Sequence, residues 1–424
     1  MDKLEDMQGS LRPGDTVYFK GGNYVTTDVN KYRFSLKASG TASAPITYKN
    51  YDSNKPILVF DVRTLPPEQI FMGFVVFSGN HTVFDGLHFT QTEASRALAQ
   101  HHIIVNKRRK GVVGALFTWS TGVQLRNCSV TNFSGAGFFY EGNNALVENC
   151  YIESGSHAFY IAGKNGQFRF NTTDGKRGYF NQFGIQFQYP TSQGNKVYSN
   201  MMMNGQSAGV VLSGGAGNNE IFNNVIVNAG NKLTAEPGRP LAPGHALSFV
   251  CWDGVAVGAG NKIYNNTFIG KTPAGLIEDE DCSVSNGEPV GRHVEIYNNI
   301  FYPSSYVRVG LSTPNVHNNI FYNVSGSVPA GNEMVDPKLA NPMGTNPLDA
   351  MLTNGSPAID KASATVNFDY QNGARPYGMG YDIGAFEFGS PAGSGGPIVL
   401  PPGVGVPSPP IFYSPDGKVC PSGY

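Results

Sequence analysis

Two short clusters carry the side chains best suited to chemistry. The first is Lys176-Arg177, a cationic pair in a polar stretch shortly before Gln186, Gln188 and Tyr189. A guanidinium beside a lysine lowers the ammonium pKa, which makes the amine a candidate general base. The second is acidic: Asp253, then Glu278-Asp279-Glu280-Asp281. Clustered carboxylates can hold Ca²⁺ through oxygen ligands, here Asp279, Glu280 and Asp281. The same groups could instead be the paired acid and base or nucleophile of a glycosidase. His245 could serve as a general base. Tyr160, Tyr189 and Trp252 offer aromatic faces of the kind on which a sugar ring packs. Each group also has a plainer reading. The cations could be solvated, the acidic run a hydrated turn, His245 a turn residue, and Tyr160 an ordinary exposed strand aromatic. The still more basic Lys107-Arg108-Arg109-Lys110 reads either as a solvated loop or as a patch for an acidic glycan. There is no phosphate-binding glycine loop, no Cys/His zinc spacing and no nucleophile elbow.

These residues hang on a repeat. Val123-Gln124-Leu125-Arg126-Asn127-Cys128 and Ala145-Leu146-Val147-Glu148-Asn149-Cys150 align without gaps. Further copies end at Asn171, Asn200, Asn224, Asn266, Asn299 and Asn319, and Val83-Phe84-Asp85-Gly86 is an earlier copy with Gly in the Asn slot. The tight spacings are 20 to 24 residues, and the wider ones are 29, 33, 41 and 42. Each copy reads as strand, one-residue corner, strand. Asn suits the corner because it tolerates left-handed backbone angles. Its amide can also bond the Asn one coil away and build a ladder. The period fits one solenoid turn of three short strands, with coils about 4.8 Å apart.

A third strand ends in a Gly/Asn turn in each coil. Alternation sends its middle residue outward, which predicts one outer column: Phe139, Tyr160, Gln186, Val211, Ser248, Ile277 and Arg308. Residues 91–119, 173–183 and 228–244 read as insertions between strands. Loops of a repeat array collect on one side, often the binding side.

Composition agrees. Charged residues make up 14% and the net charge is −1, so neither a nucleic-acid partner nor a polybasic membrane patch is expected. No apolar run is long enough for a membrane span. Glycine is abundant, at 53 residues, as many tight turns require. Five cysteines are too few for a disulfide scaffold. Cys128 and Cys150 occupy equivalent repeat positions and read as buried thiols ahead of a disulfide. The opening Met1–Met7 lacks a signal-peptide pattern and looks like the tail of a longer helix.

The ends carry a family resemblance. Leu11-Arg12-Pro13-Gly14-Asp15-Thr16-Val17-Tyr18, Gly21-Gly22-Asn23-Tyr24 and Ser43-Ala44-Pro45-Ile46-Thr47 resemble the opening of pectate-lyase-like β-helix proteins. Asp336-Pro337, Gly355-Ser356-Pro357-Ala358-Ile359-Asp360, Arg375-Pro376 and Asp382-Ile383-Gly384-Ala385-Phe386-Glu387 resemble the closing segment of many secreted bacterial members. The resemblance implies an all-β, right-handed, single-stranded parallel β-helix with an Asn ladder and capped ends. The expected division is one β-helix domain over 1–388, with an N-terminal cap at 1–60, coils over about 61–330 and a C-terminal cap at 331–388. A Gly/Pro/Ser-rich, disordered tail follows over 389–424.

That superfamily includes polysaccharide lyases, glycoside hydrolases, epimerases and non-catalytic adhesins, so the fold alone does not choose. In its lyases the base is typically Lys or Arg, which points to Lys176. Arg177 or a bound Ca²⁺ would then neutralise a uronate carboxylate. The expectation is a secreted, monomeric enzyme that cleaves an acidic polysaccharide by β-elimination. The alternatives are a hydrolase using Asp253 with a neighbour from Glu278–Asp281, and a protein that only binds glycan. Tyr160, Gln186, Gln188, Tyr189, Trp252 and Arg308 are the expected substrate contacts.

Overall fold

The computed structural model describes residues 2–25, 34–51, 55–61, 71–98, 112–176, 183–230, 244–270, 275–279, 290–291, 293–303, 308–309, 315–324 and 328–394. Successive strands go to three different parallel sheets in rotation. Gln124–Arg126 lies in the first sheet, Ser129–Phe133 in the second and Phe138–Tyr140 in the third. Leu146–Glu148 then returns to the first and pairs in register with Gln124–Arg126. Among the described residues the sheets hold 11, 12 and 10 strands. One round makes one coil, and the crossovers are right-handed, as twisted parallel strands require.

Coiling starts earlier than the sequence suggests. Thr16–Phe19, Gly22–Val25 and Phe34–Leu36 already belong to the three sheets, within the stretch expected to be a cap. The N-terminal end is closed by the short helix Asp2–Asp6, whose Leu4 is buried. Gln8 then ties this lid to Ala38 N and Tyr48 OH. Residues 91–119 are also not all insertion, since Val112–Thr118 is a third-sheet strand.

The corner between the first and second sheets corrects the expected Asn motif. Two adjacent residues share the work assigned to one. The left-handed residue is Asn127, Asn149, Phe170, Ser199, Asn223, Asn265, Asn298 and Asn318 in successive coils, with φ between 51° and 57°. The ladder residue is the next one: Asn171, Asn200, Asn224, Asn266, Asn299 and Asn319, all buried. Counting Asn127 and Asn149 in the same slot as Asn171 therefore mixed the two positions.

Each ladder amide joins three coils. Asn200 Nδ2 donates to Phe168 O of the coil before at 2.8 Å and to Asn224 Oδ1 of the coil after at 3.0 Å. Its Oδ1 accepts from Asn171 N and Nδ2. Cys128 and Cys150 fill this slot in the first coils, as free buried thiols. Their Sγ atoms lie 3.6 Å from Phe84 O and Leu125 O, the carbonyls an Asn amide would otherwise take.

The C-terminal segment folds back onto the outer face of the second sheet. Leu352, Ala358, Tyr370, Ile383 and Phe386 pack there on Val225, Ile269 and Ile300. A buried charge cluster knots this segment. Arg375 Nε meets Glu387 Oε2 at 3.1 Å with both side chains fully buried, and Arg375 Nη2 donates to Gly384 O. Asp382 accepts from Asp360 N and Phe388 N, and Asp369 accepts from Gln371 N and Gly373 N. Burial pushes all three carboxyls up, Glu387 to about 7.

Asn224→Ala should cost about 3 kcal/mol or more, because the amide of Asn200 and the carbonyl of Val197 lose their buried partners. Chemical denaturation followed by far-UV circular dichroism reads this. Arg375→Ala should cost about 3–5 kcal/mol by leaving buried carboxylates uncompensated. Limited proteolysis should then cut within 336–388 under conditions where the wild-type segment resists.

Candidate functional site

The three stretches read as insertions share one place in the topology. Each leaves a second-sheet strand, ending at Gln91, Asp174 or Val227, and enters a third-sheet strand beginning at Val112, Phe183 or His245. The third sheet is therefore the face that long connections feed.

Its strands are irregular in a useful way. Ala158 and Phe159 both enter the core, as do Ala246 and Leu247. Two consecutive inward residues force the flanking ones outward, so His157 and Tyr160 both lie on the outer face. Ala158, Gly184, Gly209 and Ala246 keep the second position small. A Cβ on Gly209 would already press on Ala229 at 3.0 Å and Ile226 at 3.1 Å.

A hydrogen-bonded cluster occupies this face. His157 Nδ1 is 3.0 Å from Ser156 Oγ, and its Nε2 is 2.6 Å from Gln186 Oε1. Gln186 Nε2 donates to Gln188 Oε1 at 2.8 Å, and the Tyr160 hydroxyl donates to the same oxygen at 2.6 Å. Gln186, Gln188, Val211, Ser213 and Ser248 are buried although they point outward. The Tyr160 ring stacks on Phe139 at 4.6 Å and meets His157 edge-on at 5.2 Å. Burial lowers the His157 pKa to about 4 and raises that of Tyr160, so both stay uncharged near neutral pH. His157 is half-buried, with Tyr160, Phe183 and Gln186 packed against its ring.

A family model for right handed beta helix regions matches residues 85–286. Pectate lyase Pel9A superimposes over 91% of this chain and 90% of its own, with a TM-score of 0.54 at 15% identity. The fold is the pectate-lyase-like right-handed parallel β-helix. Other similar structures are a mannuronic acid specific polysaccharide family 6 lyase from human gut microbiota and an alginate lyase from Paenibacillus sp. str. FPU-7. The first has a TM-score of 0.47 at 15% identity and covers 77% of this chain and 74% of that one. The second has a TM-score of 0.41 at 13% identity and covers 78% and 92%. No curated protein matches the sequence.

On this β-helix the expected site residues separate. Tyr160, Gln186 and Gln188 meet in the cluster. Tyr189 and Trp252 are exposed at the rim on either side of Gly214, where a Cβ would lie 3.5 Å from Tyr189 N and 3.3 Å from Trp252 Cβ. His245 shares the strand position of His157, three pairings along. Asp253 sits at φ 53° in an exposed turn closed by the Trp252–Val255 backbone pair. Lys176 lies beside the second sheet instead. Its ammonium is 3.3 Å from Asp174 and 3.8 Å from Glu153.

The outer column also needs correcting. Ser248 pairs with Glu278, not Ile277, and Arg308 pairs with Gly275, outside that column. The pairing of Phe249 with Asp279 places the acidic run beside the end of the His245–Val250 strand. Arg177, Glu280, Asp281 and the Lys107–Lys110 stretch lie outside the described residues, as do the side chains of Asp279 and Arg308. Among the described residues, no group of three or more His, Cys, Asp or Glu is placed to hold a metal ion.

His157 belongs to this cluster although it was not among the expected site residues. The small residue after it, Ala158, was the available signal.

The lowered His157 pKa has a thermodynamic consequence. The unfolded chain takes up a proton near pH 6.5 and the folded chain only near pH 4. Stability from the neutral ring is therefore full above pH 6.5 and lost as pH falls toward 4, by about 2–3 kcal/mol. Glu387 of the C-terminal segment, raised to about 7 by burial, titrates in the same range with opposite sign. The quantity to read is thus the difference between wild type and His157→Gln in denaturation at pH 7.5 and pH 4.5. The wild-type advantage should shrink at the lower pH.

Proposed function

We propose that the chain binds a polysaccharide along the outer face of the third sheet and cleaves an acidic glycan by β-elimination. The observation that carries the binding half is the cluster of Tyr160, Gln186 and Gln188, flanked by exposed Tyr189 and Trp252. Aromatic faces and fixed amides are the groups that recognise sugar rings and their hydroxyls. The cleavage half draws on the likeness to a structure described as a pectate lyase. β-Elimination needs a base for the proton beside the carboxylate and positive charge to hold the resulting anion. Lys176 and Arg177 open the connection that enters the Gln186 strand, and we assign them these roles. Ca²⁺ held by Asp279–Asp281 would supply charge in place of Arg177. Cys251 is disulfide-bonded, which favours an oxidising, extracellular setting. No described helix is long and apolar enough to cross a membrane.

A second reading has its own support. The third-sheet strands Phe138–Tyr140, His157–Ile161, Phe183–Phe187 and Ala208–Ser213 carry no Lys or Arg, and Lys176 is already paired with Asp174 and Glu153. That pattern suits a protein that holds glycan without cutting it.

Incubation with pectate, alginate and glycosaminoglycans separates these readings. Ultraviolet absorbance from an unsaturated uronate is expected for the lyase. Reducing ends without that absorbance point to hydrolysis, and retained binding with neither signal points to a binding protein. Lys176→Ala should lower the elimination rate about 10²–10⁴-fold. An unchanged rate removes Lys176 as the base.

A further inference from the structure

The cluster on the third sheet has a direction, and one end fixes it. Ser213 Oγ lies 3.1 Å from the carbonyl oxygen of Phe187, which can only accept. The single hydroxyl hydrogen of Ser213 is thereby committed. Its oxygen is left to accept from Gln186 Nε2, at 3.4 Å. Gln186 therefore turns its amide nitrogen toward Ser213 and Gln188, and its oxygen toward His157. An oxygen 2.6 Å from His157 Nε2 requires the proton on that nitrogen. Nδ1 must then accept from the Ser156 hydroxyl. At the other end, Gln188 Oε1 receives both the Gln186 amide and the Tyr160 hydroxyl. The one hydrogen of the phenol points inward, and its oxygen keeps two lone pairs on the outer side, where the Tyr189 side chain stands beside it. Phe139 stacks on the ring and holds it in place.

We infer that Ser213 and His157 hold the polarity of this chain from its two sides, Ser213 by turning the Gln186 nitrogen toward itself and His157 by donating to the Gln186 oxygen, and that Tyr160 thereby acts as a fixed hydrogen-bond acceptor for a sugar hydroxyl. The inference rests on the glycan-binding half of the function proposed above. Its chemistry is specific. A ring presenting a hydroxyl at this point is favoured, and a ring presenting only an ether, ester or carboxylate oxygen is rejected. Reversing the chain would reverse that choice. With the proton on Nδ1, both amides would flip and the Tyr160 hydroxyl would become a donor. His157 is a positioning residue here, and Tyr160 is the residue that meets the sugar.

The first test needs no ligand. Selective ¹⁵N-histidine labelling of the full chain, with His157 assigned by comparison with His157→Gln, reports the tautomer directly. A neutral ring with the proton on Nε2 is expected from pH 6 to pH 8. A proton on Nδ1, or an imidazolium at pH 6, would overturn the inference. The second test measures binding of pectate and alginate oligosaccharides. Tyr160→Phe keeps the stack but loses the acceptor and should bind about tenfold more weakly. His157→Phe should lose a similar factor. His157→Gln, whose amide can still donate to Gln186, should stay within about twofold of wild type. Equal losses in His157→Gln and His157→Phe would reduce His157 to a packing residue and sink the inference. If the wild type binds none of these glycans, the functional proposal fails, and the tautomer still decides the direction of the chain.

Discussion

The buried amide ladder at the first corner is the interaction on which the rest of this solenoid depends. Every coil must reverse direction three times, and each reversal strips backbone groups of their strand partners. Buried polar groups left in that state cost a few kcal/mol each. At this corner one residue takes the left-handed turn, and the next turns its amide inward to satisfy what the turn exposes. Because each amide bonds to the coils on both sides, a slipped register would break several bonds at once. The stack is therefore locked in step from Cys150 to Asn332. Phe170 and Ser199 show how firmly. Neither residue type favours φ near 55°, and both hold it because the neighbouring ladder leaves no other route.

Locking one corner frees another. From Gln124 onward the first-to-second turn keeps one length, while the connections into and out of the third sheet differ widely in length. Variation in chain length is thus channelled to the two corners that flank the third sheet. From Phe138 to Phe249 the sheet itself keeps its register, because its rows inherit it from the ladder. His157, Tyr160, Gln186 and Gln188 come from two coils and are separated by up to 31 residues, yet they meet within hydrogen-bond distance. Precision of that kind belongs to rigid strands rather than to loops.

The fold was legible because its signals are local and periodic. A left-handed corner next to an inward amide leaves Asn in a fixed place coil after coil, and the terminal Gly355–Asp360 and Asp382–Glu387 segments turned out to form the buried knot of the C-terminal segment. Where one residue type served two adjacent positions, as with Asn127 and Asn171, the sequence could not say which job each Asn performed. The site was legible only in part. Tyr160, Gln186 and Gln188 followed from strand alternation. His157 did not, because two successive inward residues break that alternation, and a break of this kind is visible only as an inconspicuous Ala158. Glu278 was read as part of the acidic run but not as a member of the outer column, because the strand pairs one residue away from the expected Ile277.

The described part of the third sheet also divides the labour of recognition. Around His157 its outward groups are phenol, amide, hydroxyl and neutral imidazole, and burial keeps His157 and Tyr160 uncharged. A charged group would be hard to keep there, because desolvation without a partner costs more than a single hydrogen bond returns. Such a surface reads ring shape and hydroxyl pattern. Chemistry that needs a formal charge must then draw on residues at the margins of the sheet, such as Lys176, Asp253 or the acidic run after Glu278. Those margins lie at strand ends and in connections, where charge can stay solvated and where the chain tolerates change. A uniform stack with a neutral floor and variable edges can therefore change what it does to a glycan without losing the means to hold one, since only the edges need to differ.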